Sequence, residues 1–298
     1  MRFHYAESMT AVANYLPLAR AAEANGFAGF TIPDSLIYPQ SSAMQYSYTE
    51  DGGREFLENK PFVESFVLAA ALGAATQNLE LTTNVVKLPV RPPLYSAKLA
   101  ASIAALTNNR FNFGVGLSVW PEDYEVMGVD YSKRGKRMDE CIEIVKGLCA
   151  GGYFEFHGEF YDFRAVKLNP VPTKPLPIFI GGHSDAGLRR AARHDGFMYA
   201  GGKPGELKDI LVRLDAYRDE AGTRSKPFRI FATDMGAITA DSVMRHAELG
   251  VTDMMVVFRN LYAIEEDRQP LEQKIDDLKR FADTVISRLG TTDDRTQI

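Results

Sequence analysis

The residues best placed to do chemistry stand at the ends of apolar runs. Pro177 to Ile180 is such a run, and Gly181-Gly182-His183-Ser184-Asp185 follows it, ahead of leucine and alanines at helical spacing. The glycine pair lets the backbone turn with no Cβ in the way, and Ser184 or Asp185 suits a helix cap. A helix start offers unpaired N–H groups and a positive dipole end, which suits a phosphate; an ordinary strand-to-helix turn uses the same residue types. Asp34 follows Pro33 at the end of another run, where a carboxylate orients a substrate by a charge-assisted bond or caps a turn. Lys87 lies inside an apolar stretch, and a buried lysine needs an anionic ligand or a nearby carboxylate. Trp120, the sole tryptophan, suits a pocket wall as well as simple packing. Arg259 and Asn260 close the last run, where an anionic substrate would be met. His4 fits a satisfied core histidine better than a group aimed into a pocket. Arg134, Arg137, Asp139 and Glu140 read as a charged helix face. No His/Cys cluster has metal spacing, and neither a G-x-S-x-G elbow nor a P-loop is present.

Those positions need elements to hold them. Short apolar runs predict strands over Arg2–Ala6, Phe27–Ile32, Leu79–Val86, Phe111–Gly116, Pro177–Ile180, Gly196–Ala200, Phe228–Thr233 and Thr252–Phe258. Helical spacing predicts helices over Thr10–Asn25, Phe62–Thr76, Leu94–Leu106, Ser132–Ala150, from Ser184 or Asp185 onward, and over Gly205–Ala221, Ser242–Leu249 and Leu271–Leu289. Tyr153–Phe163 reads as a hairpin. Alternation of this kind implies parallel pairing through right-handed crossovers, and eight units close a (β/α)8 barrel. The competing doubly wound sheet wants G-x-G-x-x-G after the first strand, where Ala6-Glu7-Ser8-Met9 stands instead. The fold class is therefore α/β, a (β/α)8 TIM barrel with insertions in the βα loops. One domain is expected over 1–290, with a polar tail over 291–298. The stretch from Ser35 to Pro61 is long for a connection and carries Tyr38, Tyr46, Tyr48 and Phe56, which favours a packed lid that decides substrate choice.

Composition excludes several classes. Of 298 residues, 45% are hydrophobic and 24% charged, as in a soluble globular protein. A net charge of −5, from 34 basic and 39 acidic residues, argues against general nucleic-acid affinity. No apolar stretch reaches membrane-span length, and the opening residues lack a signal-type core. Cys141 and Cys149 share a helix face, and two reduced thiols fit a cytoplasmic protein.

Six segments together resemble one family: Leu18–Asp34, Leu79–Pro92, Asn109–Gly116, Arg134–Glu140, Phe156–Phe163 and Pro177–Ala192. The chain is similar to the luciferase-like monooxygenase superfamily, in particular its branch of oxidoreductases using the deazaflavin coenzyme F420. The resemblance implies a cofactor ring over the C-terminal mouth of the barrel, near Asp34, Asn84, Val85, Lys87, Leu117 and Ser118. It implies the phosphate-bearing tail at Gly181, Gly182, His183, Ser184 and Asp185. It also implies a bulge in the third strand, with a non-prolyl cis peptide at Asn84–Val85.

Departures from the family limit the chemistry. Relatives that oxidise an alcohol often have histidine where Ser35 stands, and Val119 replaces an acidic proton donor of the sugar-phosphate dehydrogenase branch. Leu117 replaces the luciferase arginine that meets flavin phosphate, which weakens the case for FMN. The expected protein is a cytoplasmic, homodimeric F420-dependent oxidoreductase moving hydride to or from a small organic substrate. Asp34 and Ser35 are its candidate catalytic residues, and Tyr38, Tyr46, Tyr48, Trp120 and Arg259 line its substrate pocket. Alternatives are an FMN-dependent monooxygenase and a cofactor-binding barrel without turnover, a carrier or sensor.

Overall fold

His4 points to one side of the first strand while Phe3 and Tyr5 point to the other. His4 meets Asp253, whereas Phe3 meets Phe281 and Tyr5 meets Phe27, Phe30 and Phe258. This period of two sorts the strand residues into two cores, one inside the ring of strands and one beneath the helices. The computed structural model describes residues 1–42, 44–46, 49, 51–202, 205–234 and 238–290. Tyr48 and the tail over 291–298 lie outside the described residues.

The parallel strands are β1 (Arg2–Tyr5), β2 (Gly29–Ile32), β3 (Glu80–Thr83), β4 (Val86–Lys87), β5 (Phe111–Gly116), β8 (Ile178–Gly181), β9 (Gly196–Tyr199), β10 (Arg229–Thr233) and β11 (Asp253–Val256). They run in the order β3-β2-β1-β11-β10-β9-β8-β5-β4, and a further β3–β5 pairing closes the barrel. The strand expected over Leu79–Val86 is two pieces. Strand pairing is interrupted at residues 84 and 85, where the Asn84 N–H still donates to the Ile32 carbonyl at 2.7 Å and the Asn84–Val85 peptide is cis, and β4 resumes pairing at Val86↔Val115 and Lys87↔Gly116. A hairpin of β6 (Phe154–His157) and β7 (Asp162–Val166) forms a separate sheet. Glu140 pins its turn by accepting from the N–H groups of Glu159, Phe160 and Tyr161, so that carboxylate is structural, as its helix-face reading anticipated.

The outer layer holds α1 (Tyr15–Ala24), α2 (Ser65–Ala75), α3 (Pro93–Leu106), α5 (Arg134–Cys149), α6 (Asp185–Ala191), α7 (Glu206–Glu220), α8 (Ala240–Glu248) and α9 (Leu271–Phe281). Two features were not anticipated. A short α4 (Pro121–Val126) follows β5, with Pro at its start and Glu122 and Asp123 in its first turn, where acids suit the helix dipole. The expected helix over Leu271–Leu289 passes through a π-helical turn at Ala282–Ile286 before α10 (Ser287–Leu289). Among the described residues no helix is long and apolar enough to cross a membrane.

The barrel interior is layered. Phe179, Met198, Phe231 and Met255 pack its centre, with Ala6 and Val85 above them. Below them is an ionic floor. Asp253 accepts from His4 Nε2 at 2.7 Å and from Arg229, which also reaches Glu80 at 3.2 Å. Arg2 pairs with Glu80, and Asn112 donates to the same carboxylate at 3.0 Å. His4 is fully buried, as a core histidine, and Gly29 is glycine because a Cβ there would lie 2.3 Å from His4 Nδ1. Burial lowers the His4 pKa, outweighing the opposite pull of Asp253.

The floor makes stability acid-sensitive. Burial alone would raise the Glu80 carboxyl, but Arg229 and Arg2 outweigh it and hold the pKa at about 2. Asp253 is held lower still, against burial, by Arg229 and the His4 bond. Folded values below the unfolded ones, about 4, mean the contribution is present above about pH 4 and fades as pH falls towards 2. Urea midpoints measured from pH 7 to 3 should fall steeply below about pH 4. Glu80→Gln should lower the midpoint at pH 7 and flatten that fall; an unchanged acid slope would contradict the assignment.

Candidate functional site at the barrel mouth

Val85 forms the floor of the mouth. Its side chain stands between the ends of β5 and β8, where both neighbours are glycine. A Cβ on Gly116 would lie 2.5 Å from Val85 Cγ2, and one on Gly181 would lie 3.0 Å from Val85 Cγ1. Deeper in β5, a Cβ on Gly114 would meet the carbonyl oxygen of Thr83. The glycines of Phe113-Gly114-Val115-Gly116 are thus required by the end of β3 at Thr83 and by Val85 in the break that follows it. Asn84, beside Val85, donates from Nδ2 to Met255 Sδ at 3.4 Å. Leu117, half-buried, packs against the outer core.

Asp34 closes β2, and its buried carboxylate holds the neighbouring strand ends together. Oδ1 accepts from Ser65 Oγ at 2.6 Å and Arg91 Nη2 at 2.7 Å, while Oδ2 accepts from Arg91 Nη1 and the Lys87 N–H, both at 2.9 Å. A bidentate guanidinium plus two further donors engages both oxygens. Ser35 is half-buried beside it, with Oγ 3.5 Å from the Ile37 carbonyl oxygen.

Lys87 finds a carboxylate, the second of the partners its burial required. Its Nζ lies 2.8 Å from Oδ2 of Asp123, on α4. The same oxygen accepts from Ser118 Oγ, and Ser118 Oγ accepts from the Trp120 N–H at 3.0 Å. Asp123 is 1% exposed, and its Oδ1 has no hydrogen-bond partner among the described residues.

Two loops cross the mouth. From the one after β2, Tyr46 stacks on Trp120 with ring centres 5.9 Å apart, and Arg54 lies over the rings of Tyr38 and Trp120 at 4.8 and 5.7 Å. From the one after β11, Tyr262 meets Tyr46 at 6.0 Å and Phe56 at 5.1 Å. Lys60 donates to the carbonyls of Ile264 and Glu265 at 3.0 and 2.7 Å, which joins the loops. Arg259 is committed at the foot of the second loop. It reaches Glu7 Oε1 at 3.0 Å, the Ser8 carbonyl oxygen, and Asp267 at 3.5 Å, while Lys274 bridges Glu7 and Asp267 at 3.0 and 2.8 Å.

The glycine pair lies on the opposite side, after β8. Gly182 has φ 131°, a conformation that L side chains rarely adopt, and a Cβ there would meet nothing within 4 Å. Ser184 caps α6 by accepting from the Gly187 N–H at 3.2 Å. His183 stacks on Tyr199 at 4.8 Å, and its Nδ1 lies 3.9 Å from Glu206; burial lowers its pKa. Asp185 turns outward to Arg213 and Tyr217, each at 2.9 Å. Among the described residues no group of three His, Cys, Asp or Glu side chains is arranged to hold a metal ion.

The mouth therefore brings Asn84, Val85, Lys87, Ser118, Trp120, Tyr38 and Tyr46 together. It turns Asp34 and Arg259 towards protein partners. Arg91, Asp123, Arg54, Lys60 and Tyr262 escaped the sequence reading. Arg91 carried one available signal, a second buried-type charge four residues beyond Lys87.

The profile of the luciferase-like monooxygenase family matches residues 2–280. An uncharacterized protein of Mycobacterium tuberculosis is 54% identical over 289 residues, covering 97% of this chain and 100% of that protein. The pyrimidine monooxygenase RutA of Acinetobacter baylyi is 27% identical over 203 residues, which span 65% of this chain and 54% of RutA. In structure, the coenzyme F420-dependent tetrahydromethanopterin reductase of Methanopyrus kandleri aligns with TM-score 0.72 at 13% identity, covering 96% of this chain and 99% of the reductase.

The Asp34–Arg91 pair gives a stability test. Asp34→Ala strips a buried guanidinium of its bidentate partner, leaving Glu64 at 3.6 Å as its remaining carboxylate, and should cost about 3–5 kcal/mol in urea unfolding. Asp34→Ala combined with Arg91→Leu should be less unstable than Asp34→Ala alone. Additive losses would show that the two side chains do not act as a pair.

Proposed function

The chain belongs to the luciferase-like monooxygenase family, and from that premise we propose that it is an oxidoreductase binding a deazaflavin or flavin across the barrel mouth. Coenzyme F420 is the first choice, with hydride moved to or from a small organic molecule. The observation that carries this reading is the floor formed by Val85 between Gly116 and Gly181, where a Cβ on either glycine would enter the Val85 side chain. Such a floor suits a flat ring, and the open, positive-φ turn at Gly182 with the capped start of α6 suits a phosphate-bearing tail. When bound, the cofactor supplies two-electron hydride chemistry.

The chain's own residues would bind, orient and exclude water. Asn84, Val85 and Leu117 form the bed; Lys87 and Ser118 form its polar edge; Gly181 to Ser184 hold the tail, and Asp185, turned outward to Arg213 and Tyr217, drops out of the tail site. Asp34 enters as a positioning residue, because both carboxylate oxygens are engaged and it fixes the Lys87 N–H. Ser35 is the hydroxyl we assign to the substrate. Tyr38, Tyr46 and Trp120 wall the substrate space, and Tyr262 joins them through Tyr46 and Phe56. Arg259 anchors the second loop. A buried, disulfide-free pair of cysteines supports a cytoplasmic setting.

A second reading is an FMN-dependent monooxygenase, favoured by the RutA similarity. Titrating the protein separately with F420 and FMN, and reading fluorescence quenching, distinguishes the two. F420 should bind, and Gly182→Val with Ser184→Ala should weaken it by about 1–3 kcal/mol. Tight FMN binding with none for F420 would replace the first reading by the second. Binding of F420 with no hydride exchange across a broad substrate screen would favour a carrier.

The lid gives a separate prediction. Tyr46→Ala and Tyr262→Ala should each change substrate turnover while leaving cofactor affinity within a few-fold, since these rings pair with one another, Trp120 and Phe56 and not with Val85 or the glycine pair. Parallel loss of both properties would place the two rings against the cofactor instead.

A further inference from the structure

We infer that Lys274 is a positioning residue for the substrate side of the mouth: it latches the loop over residues 257–270, and through Tyr262 that loop keeps the aromatic lid over Trp120. The part in substrate choice rests on the proposed reading of the lid, whereas the latch rests on contacts within the chain.

The core face of α9 runs Lys274, Leu278, Phe281, the i, i+4, i+7 stripe of a buried helix side. An apolar residue would suit the first of these positions, and a cation near a helix start works against the dipole. Lys274 is nevertheless 2% exposed. It is tolerated there because Nζ meets Glu7 Oε2 at 3.0 Å and Asp267 Oδ2 at 2.8 Å. The two carboxylates come from different elements. Glu7, just after β1, is itself buried and accepts from the Tyr5 hydroxyl at 2.7 Å. Asp267 belongs to the far end of the loop. Arg259, at the near end, reaches Glu7 at 3.0 Å and Asp267 at 3.5 Å. Both feet of the loop therefore stand in one box of two cations and two carboxylates. Between the feet, Tyr262 meets Tyr46 and Phe56, and Tyr46 stacks on Trp120.

Charge balance decides which part of the box gives way. Without the ammonium, two carboxylates would share one guanidinium in a poorly hydrated place, which is costly unless one of them leaves. Glu7 is held by the barrel through Tyr5 and Arg259. Asp267 stands between the exposed Glu266 and Arg268, so the far foot is the part with somewhere to go. Its release draws Tyr262 away from Tyr46 and uncovers Trp120. A side chain in the helix layer thus sets the rings at the mouth without touching what they enclose.

Trp120 is the sole tryptophan and is 4% exposed, so its quenching by acrylamide reads the lid in the full-length protein with no cofactor or substrate added. Acrylamide is neutral and indifferent to the charge changes. Lys274→Met should raise the quenching constant about twofold or more, as local opening uncovers a buried ring. Lys274→Arg, which keeps the charge, should stay nearer the wild type, and Asp267→Ala, which removes the far foot, should raise the constant as Lys274→Met does. Tyr262→Ala should raise it too, and adding Lys274→Met to Tyr262→Ala should change it little further, because both act along one route. A purely structural ion cluster predicts that Lys274→Met lowers the urea midpoint and leaves Trp120 as shielded as before; that result in the folded variant overturns the inference. So do additive effects of Lys274→Met and Tyr262→Ala. If no Lys274 variant folds, Asp267→Ala decides alone, and unchanged quenching there is equally fatal. Failure of the protein to bind F420 or FMN would remove the ring-site reading and leave these quenching results standing, so the two can fail separately.

Discussion

One carboxylate fixes the mouth. Asp34 must bury a charge at the end of β2, and that is tolerable only because four donors from three different segments converge on it. Ser65 brings the start of α2, Arg91 the start of the connection into α3, and the Lys87 N–H the resumed β4. The last bond matters most for the site. It sets the main chain immediately after the Asn84–Val85 break, and therefore where Val85 sits and where the Lys87 side chain sets out. An aspartate that looks catalytic from its place in a βα loop serves instead, in this arrangement, to hold other groups still.

The glycines of β5 and β8 follow from the same geometry. Once Val85 projects into the mouth, the strands on either side have no room for a side chain at Gly116 or Gly181, and Gly114 has none against Thr83. The packing below is equally committed. Phe179 and Phe231 meet at 4.9 Å, and Arg229 lies over both rings at 5.2 and 4.7 Å, which joins the apolar centre to the ionic floor. Two sets of interior charges are balanced: Arg2 and Arg229 with Glu80 and Asp253, and Arg259 and Lys274 with Glu7 and Asp267.

Much of the fold was legible because its signals are local. Alternation in Arg2-Phe3-His4-Tyr5, helical spacing in Arg134–Cys149 and the capping serine at 184 each report on neighbours a few residues away. The break in the third strand was legible only through family resemblance, since Leu-Thr-Thr-Asn-Val-Val has the period of an ordinary strand. What stayed hidden were partners brought together by barrel closure. Arg91 meets Asp34 from 57 positions away, and Arg259 meets Glu7 from 252. Neither pairing leaves a trace in periodicity. For Lys87 the residue type demanded a partner without naming it, and only the fold selects Asp123. The short α4 that carries Asp123 was missed because it spans only six residues, too few for a periodic signal.

Floor and lid are built from different physics, and this divides their functions. The floor is fixed by buried charges and by glycines that cannot be replaced, so its shape has little freedom. The lid is held by ring contacts of Tyr46 with Trp120, Phe56 and Tyr262, and by the exposed Lys60 contacts to Ile264 and Glu265. Ring pairs at about 0.5–1.5 kcal/mol each sum to a few kcal/mol, before the entropy regained by two released loops is subtracted. These contacts are separate from the charges and glycines of the floor, so loosening them does not require the floor to change. Under the proposed reading the more weakly held element is also the one assigned to the substrate, so selection and access would depend on the same few aromatic contacts.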